Sequence, residues 1–348
     1  MRKNALGGVE PWTSAYSRFS NDSYSQAPYK SKALILLSVV ELSATTLAPS
    51  MMHAPRIRML SCVYHKGSSS LNRSTTILEA WGTNLTNIIG TDRSLLVGIN
   101  GVVFANAAEI MRWEGGWVEQ TASWKGSAGF SIQLYWLFAR QSIIIGQANY
   151  GVASIMGLLN FAVYLDDVAL YNYALYAYKN DLCAGLSANL LDGTGQFTEA
   201  ARDQTHVQDG LQWLSMASKV VKNQGYDLFS LDDNLLFEGS EYAAKYNLNE
   251  TVPYDPSFYR CEAVLLNGPW ANISAENRYI GYQNGKTNPA CWGLPYYEGI
   301  SRGLDLPFTK RAKAVHDASV AGQSSPVDLL AWADLLFATK AHSAHSDK

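Results

Sequence analysis

Charge is scarce in this chain. Only 16% of its 348 residues are Asp, Glu, Lys or Arg, and the formal net charge is −3. No basic stripe runs along any segment, which argues against a nucleic-acid partner bound through its phosphates. Cysteine is sparse as well. Cys62, Cys183, Cys261 and Cys291 contain no CxxC pair, which argues against a zinc knuckle and leaves three disulfide pairings open. The opening "MRKNALGGVEPW" has no apolar stretch of signal-peptide length, and "ALILLSVV" at 33–40 is too short to span a membrane. β-type alternation is rare. There is no exact internal repeat and no Pro-rich linker, so residues 1–348 are expected to form one domain.

Aromatic residues, by contrast, are plentiful. They make up 12% of the chain, with 10 Trp and 20 Tyr. Their apolar ring faces suit sugar-binding clefts, and they suit cores equally well. Five N-glycosylation sequons begin at Asn21, Asn72, Asn84, Asn249 and Asn272. Together with the low charge they lean towards a secreted glycoprotein. The missing leader points the other way. Either the protein is intracellular, or this reading frame begins downstream of its true start; the second is the expectation.

Helical patterning covers most of the rest. Residues 94–113 read as a helix with Ser94 at its N-cap. Residues 152–165 and 168–182 read as a hairpin broken at Asp166-Asp167. Further helices are expected at 204–223, at 234–246 and at 326–340, the last with Pro326 near its first turn. The class is therefore all-α, and hairpins in series point to an α/α toroid or solenoid. Residues 31–72 break the pattern, mixing apolar runs, a basic patch and Ser clusters. They read as a long loop or as a mis-spliced segment.

One helix stands out, "TEAARDQTHVQDGLQWL" at 198–214. At about 100° per residue, Arg202, His206 and Asp209 fall on the arc of Trp213, Met216 and Val220. Gln204, Gln208, Gln212, Ser215, Lys219 and Lys222 fill the opposite arc, which is expected to be wet. Ionisable groups on an apolar face are costly unless paired or used. An Arg202–Asp209 pair with a hydrogen-bonded histidine is one reading; a site is the other.

Several segments resemble the alginate lyase-like polysaccharide lyases, in the order found in their secreted fungal and bacterial branch. These are "GGVEPWTSAYSRF" (7–19), "STTILEAW" (74–81), "NAAEIMRW" (106–113), "ANYG" (148–151), "EAARDQTHVQDGLQWL" (199–214), "NQGYDLFSLDDNLLFEGSEYAAKYNL" (223–248) and "FYRCEAVLLNGPW" (258–270). The resemblance is strongest over 74–270. It implies an incomplete α/α toroid, a secreted monomer, and an anionic uronate polysaccharide of alginate or glucuronan type as partner, with no nucleic acid or membrane. It implies cleavage by β-elimination, with no cofactor or metal. It also implies a leader before GGVEPW and a regular helix before STTILEAW, where this chain has the irregular 31–72.

Such a lyase must neutralise the substrate carboxylate, remove the C5 proton and protonate the leaving oxygen. Asn149 matches the family's asparagine motif and would neutralise the carboxylate; alternatively it caps a helix starting near 152. Relatives carry a His or Gln where this chain has Tyr150, which places more weight on His206 as base. Tyr259 is the candidate acid. Arg202, Arg260, Gln204, Tyr254 and Tyr297 are candidate substrate contacts, with Gln204 the weakest because of its place on the wheel. Two rival readings remain. One is a toroid glycoside hydrolase using Glu199, Asp203 or Asp209. The other is an inactive carbohydrate-binding protein.

Overall fold

The computed structural model describes residues 2–21, 36–38, 68–119, 129–143, 145–259, 261, 270–319 and 333–339. Helices dominate, as the scarcity of alternation predicts. The described strands form three two-stranded pairings of two or three residues per strand. The chain divides into two compact units. One is Ser20–Gly185; the other joins Met1–Phe19 to Leu186–Lys348.

In the Ser20–Gly185 unit, two long apolar helices, Arg93–Glu114 and Ala148–Leu165, form the core. Both are long and apolar enough to cross a membrane, and both are mostly buried within the protein. Their contacts advance together. Gly98 lies against Ala153, Asn106 Nδ2 donates to Asn160 Oδ1 at 3.0 Å, and Arg112 donates to the Tyr164 carbonyl at 2.7 Å. The two helices therefore run in the same sense. Between them in sequence lies the helical stretch Phe130–Gln133, a π-helical turn Leu134–Ala139 and Arg140–Ser142. Its Phe130 and Phe138 rings pack on Phe104, each with centroids 6.3 Å apart.

Gly98 sets how closely the two helices approach. A Cβ there would stand 2.5 Å from the Ala153 carbonyl oxygen. Gly98→Val is expected to lower stability by about 1–3 kcal/mol through overpacking, read as a lower urea midpoint at unchanged slope.

Helix boundaries moved where side chains were otherwise engaged. Ser94 is not the N-cap of its helix; Asp92 is, and it makes no capping bond of its own. Its carboxylate instead accepts the Tyr150 hydroxyl at 2.7 Å. The next helix starts at Ala148, not 152, and the Ala148 N–H donates to the Cys183 carbonyl at 2.8 Å. The expected break at Asp166-Asp167 is present. Asp166 takes the left-handed conformation (φ 55°), and Asp167 caps Val168–Asn180 by accepting the Leu170 N–H.

In the second unit, Gln204–Asn223 and Leu235–Asn247 match the expected 204–223 and 234–246 closely. They form an antiparallel hairpin: Gln208 reaches Asn247, while Leu211 lies by Gly239. Helices Trp12–Asn21, Gly293–Ile300 and Pro307–Ser319 were not foreseen. The last begins where Glu241 accepts the Phe308 and Thr309 N–H groups, so a partner distant in sequence caps it. Most of the expected 326–340 helix lies outside the described residues; Ala333–Leu336 is helical. Of 31–72, Leu36–Ser38 pairs in parallel with Asn87–Ile89, and Ser68–Asn84 is helix; the remainder lies outside the described residues. Cys183 and Cys261 are disulfide-bonded, and Cys291 is a buried free thiol.

Candidate active site

The candidate site is built on the approach to Gln204–Asn223. A short hairpin pairs Leu190–Leu191 with Gln196–Phe197. The chain then turns through Glu199–Arg202, with Ala200 N–H donating to the Phe197 carbonyl and Arg202 N–H to the Glu199 carbonyl, each at 2.9 Å. Extended Asp203 caps the helix, accepting the His206 backbone N–H at 3.0 Å. This cap brings four ionisable side chains together.

Asp203 holds His206 twice. Besides the cap, its Oδ2 lies 2.5 Å from His206 Nδ1. Arg202 donates to Glu199 Oε1 at 2.9 Å, and its Nε lies 3.7 Å from Asp203 Oδ2. The Glu199 side chain is 0% exposed, whereas those of Arg202 and His206 are 33% and 28% exposed. Burial works against a charged imidazole, yet the Asp203 hydrogen bond and negative charge win, and the His206 pKa is raised above its ordinary value. Asp203 shows the converse. Burial opposes its ionisation, and the bonds from His206 overcome it, so its pKa is lowered. With Nδ1 engaged, Nε2 is the nitrogen that can exchange a proton, and it has no hydrogen-bond partner among the described residues.

The helical wheel places His206 and Asp209 on one side, as the helix does, but Arg202 lies outside the helix and the arc expected to be wet is buried. Gln204, Gln208 and Gln212 are 1%, 0% and 3% exposed, and Ser215 is 1% exposed. Gln204 Nε2 donates to the Ala200 and Ser274 carbonyls, and its Oε1 accepts from Asn247. Gln208 donates to Asn247 and to the Tyr279 carbonyl. Amides bury at little cost when backbone groups satisfy them, as they do for Gln204 and for Gln208 Nε2, whereas Gln208 Oε1 and both amide atoms of Gln212 are buried with no partner among the described residues. The His206 and Asp209 side is the more open one. Arg202 pairs with Glu199 and Asp203 in place of the expected Asp209, because it precedes the helix and does not share its wheel. The Gln204 amide is committed to the protein's own backbone.

Lys219 and Lys222, also expected to be in solvent, instead neutralise Glu298. Lys219 Nζ lies 2.6 Å from it and Lys222 also bonds it, while Arg302 stands 3.9 Å away and pairs with Asp227 at 2.7 Å. Burial pushes the Glu298 pKa up, but the two lysines override this and the net shift is downwards. A depressed carboxylate contributes stability in full above its unfolded value of about 4.3, and loses it as pH falls through the native pKa. Glu298→Gln is expected to flatten the acid limb of a stability–pH curve there, measured by denaturant midpoints from pH 3 to pH 7 (approximate bounds set by the carboxylate range).

Tyr254 and Tyr259 sit on a segment strapped to the same hairpin. Gln196 donates to the Asp255 and Phe258 carbonyls at 2.9 and 3.3 Å and accepts the Asp255 N–H at 2.7 Å. The Tyr254 hydroxyl donates to the Trp270 carbonyl at 2.9 Å, and burial raises its pKa. Tyr259 is half-buried. Arg260 lies outside the described residues. Tyr297 is buried and donates to Asp334 Oδ1 at 2.8 Å; burial first, then Asp334, raises its pKa. Lys313, 2.6 Å from the same carboxylate oxygen, completes that cluster.

Asn149 lies in the other unit, as the second residue of its helix. It is 2% exposed, and its Oδ1 accepts the Tyr150 N–H at 2.9 Å. It thus satisfies a first-turn N–H of a helix that starts at Ala148.

Two site residues were undervalued in the sequence. The sequence offers Asp203 as a hydrolase carboxylate, yet an Asp three residues before His at a helix start is also the spacing of a cap. Gln196 carried no signal, because its partners are backbone groups roughly 60 residues on, as its sequence separations of 59 and 62 record. Comparison with models of known protein families finds no match, and comparison with curated proteins finds none.

Proposed function

We propose that this chain is a secreted polysaccharide lyase that cleaves uronate chains of alginate or glucuronan type by β-elimination. The observation that carries the reading is the Asp203–His206 pair. A buried carboxylate fixes Nδ1 at 2.5 Å on a partly open face, leaving Nε2 to act. In the proposed reaction Nε2 takes the C5 proton, the C–H electrons form the C4–C5 double bond, and the C4–O bond breaks. Tyr259 gives the departing oxygen its proton. Asn149 as carboxylate donor rests on the ANYG match alone.

The same-sense packing of Arg93–Glu114 and Ala148–Leu165, with a helical stretch between them, and the Gln204–Asn247 hairpin support an incomplete α/α toroid. The hydrolase alternative is disfavoured. It needs a carboxylic acid protonated near neutrality, a role that does not suit Asp203, whose pKa the bonds from His206 lower.

The test is ultraviolet absorbance of unsaturated product while the protein is mixed in turn with alginate, polymannuronate, polyguluronate and glucuronan. Rising absorbance on one polymer supports the lyase. New reducing ends without absorbance would make it a hydrolase. Binding with neither signal would make it a carbohydrate-binding protein.

A further inference from the structure

The fold sorts its asparagines. Among the described residues six are buried, namely Asn100, Asn149, Asn160, Asn189, Asn247 and Asn288, and none of the six begins an Asn-x-Ser/Thr sequon. All five sequon asparagines are exposed. A glycan attached to a buried amide would block folding, so this segregation is what an N-glycosylated chain requires.

Three sequons have the geometry for it. Asn84 ends the Ser68–Asn84 helix, and its Thr86 is exposed. Asn249 takes a left-handed turn (φ 68°) just beyond Leu235–Asn247, with Thr251 exposed. Asn272 is exposed two residues before Ser274, whose backbone bonds Ala200 and Gln204 beside the candidate site. Asn72 differs, lying inside the Ser68–Asn84 helix rather than at its end, with its Ser74 fully buried. The disulfide-bonded Cys183 and Cys261 independently fit an oxidising lumen.

We propose that Asn84, Asn249 and Asn272 carry N-linked glycans, which rests on the secreted reading above. In the transfer, each Asn Nδ2 bonds C1 of a polyprenyl-pyrophosphate-linked oligosaccharide. The C1–O bond breaks, the lipid pyrophosphate leaves, and Nδ2 loses one proton.

The experiment directs the full chain into the secretory pathway of a eukaryotic host with an added leader. The product is treated with peptide-N-glycosidase in heavy-oxygen water and its peptides are mapped. Labelled Asp is expected at Asn84, Asn249 and Asn272. Thr86→Ala, Thr251→Ala and Ser274→Ala should each abolish one label and leave the other two. If a variant misfolds, Asn→Gln at the same sequon replaces it. Unlabelled asparagines in protein whose Cys183 and Cys261 are oxidised would overturn the glycan sites and leave secretion standing. Retention in the cell with both cysteines reduced would overturn secretion as well.

Discussion

His206→Ala is expected to slow formation of unsaturated product by about 10²–10⁴-fold, the usual contribution of a positioned general base. The loss should fall on kcat more than on KM, because Nε2 acts on the C5 proton in the transition state. The pH profile carries the more specific signature. A base must be neutral, and the Asp203 contact raises the His206 pKa. The ascending limb of activity should therefore lie on the alkaline side of the ordinary histidine value of about 6.5. Asp203→Asn removes the raising partner, so the limb should move to lower pH while kcat falls. A limb that stays in place in Asp203→Asn would remove His206 from the chemistry.

Stability should follow the same groups with the opposite sign. A histidine with a raised native pKa contributes stability fully below its unfolded pKa and loses it as pH rises through the native pKa. Asp203, with a lowered native pKa, contributes fully above its unfolded value and loses it as pH falls through the native one. The pair is thus most stabilising in the window between them, where His206 is protonated and inactive as a base. Activity should appear as that stability declines, and denaturant midpoints measured beside the rate profile would show it.

Phe197→Ala is expected to cost about 3–5 kcal/mol, the range for truncating a buried aromatic. Phe197 is 1% exposed and follows Gln196 in the hairpin strand, two residues before Glu199. Its ring lies against Gly210, where an added Cβ would stand 2.1 Å from the ring's tip. Gly210→Ala alone is therefore expected to destabilise by about 1–3 kcal/mol. Combined with Phe197→Leu it should cost less than the sum of the two single changes, because the smaller side chain admits the methyl group. Strict additivity of their urea midpoints would show that the contact is not what couples hairpin and helix.

Much of the helical framework was legible because apolar periodicity and caps act within a few residues. The Asp166-Asp167 break and Gln204–Asn223 follow from such local signals. Pro307–Ser319 was not legible, since its N-terminal cap, Glu241, is distant in sequence. The candidate site divides the same way. An Asp three residues before His206 is written in the sequence, and so is the helix that it caps. Which face of that helix is open is not. Gln204 and Gln208 look like solvent-facing residues until Ser274, Tyr279 and Asn247 are placed beside them. A side chain's polarity is a property of the sequence; whether water or a backbone carbonyl satisfies it depends on segments that only folding brings together. The sequence by itself therefore determined a helical protein, and it holds the Asp-to-His spacing of a cap that the structure shows to be made. The tertiary structure decided that the glutamines are core and that His206 and Arg202 lie on the partly open side.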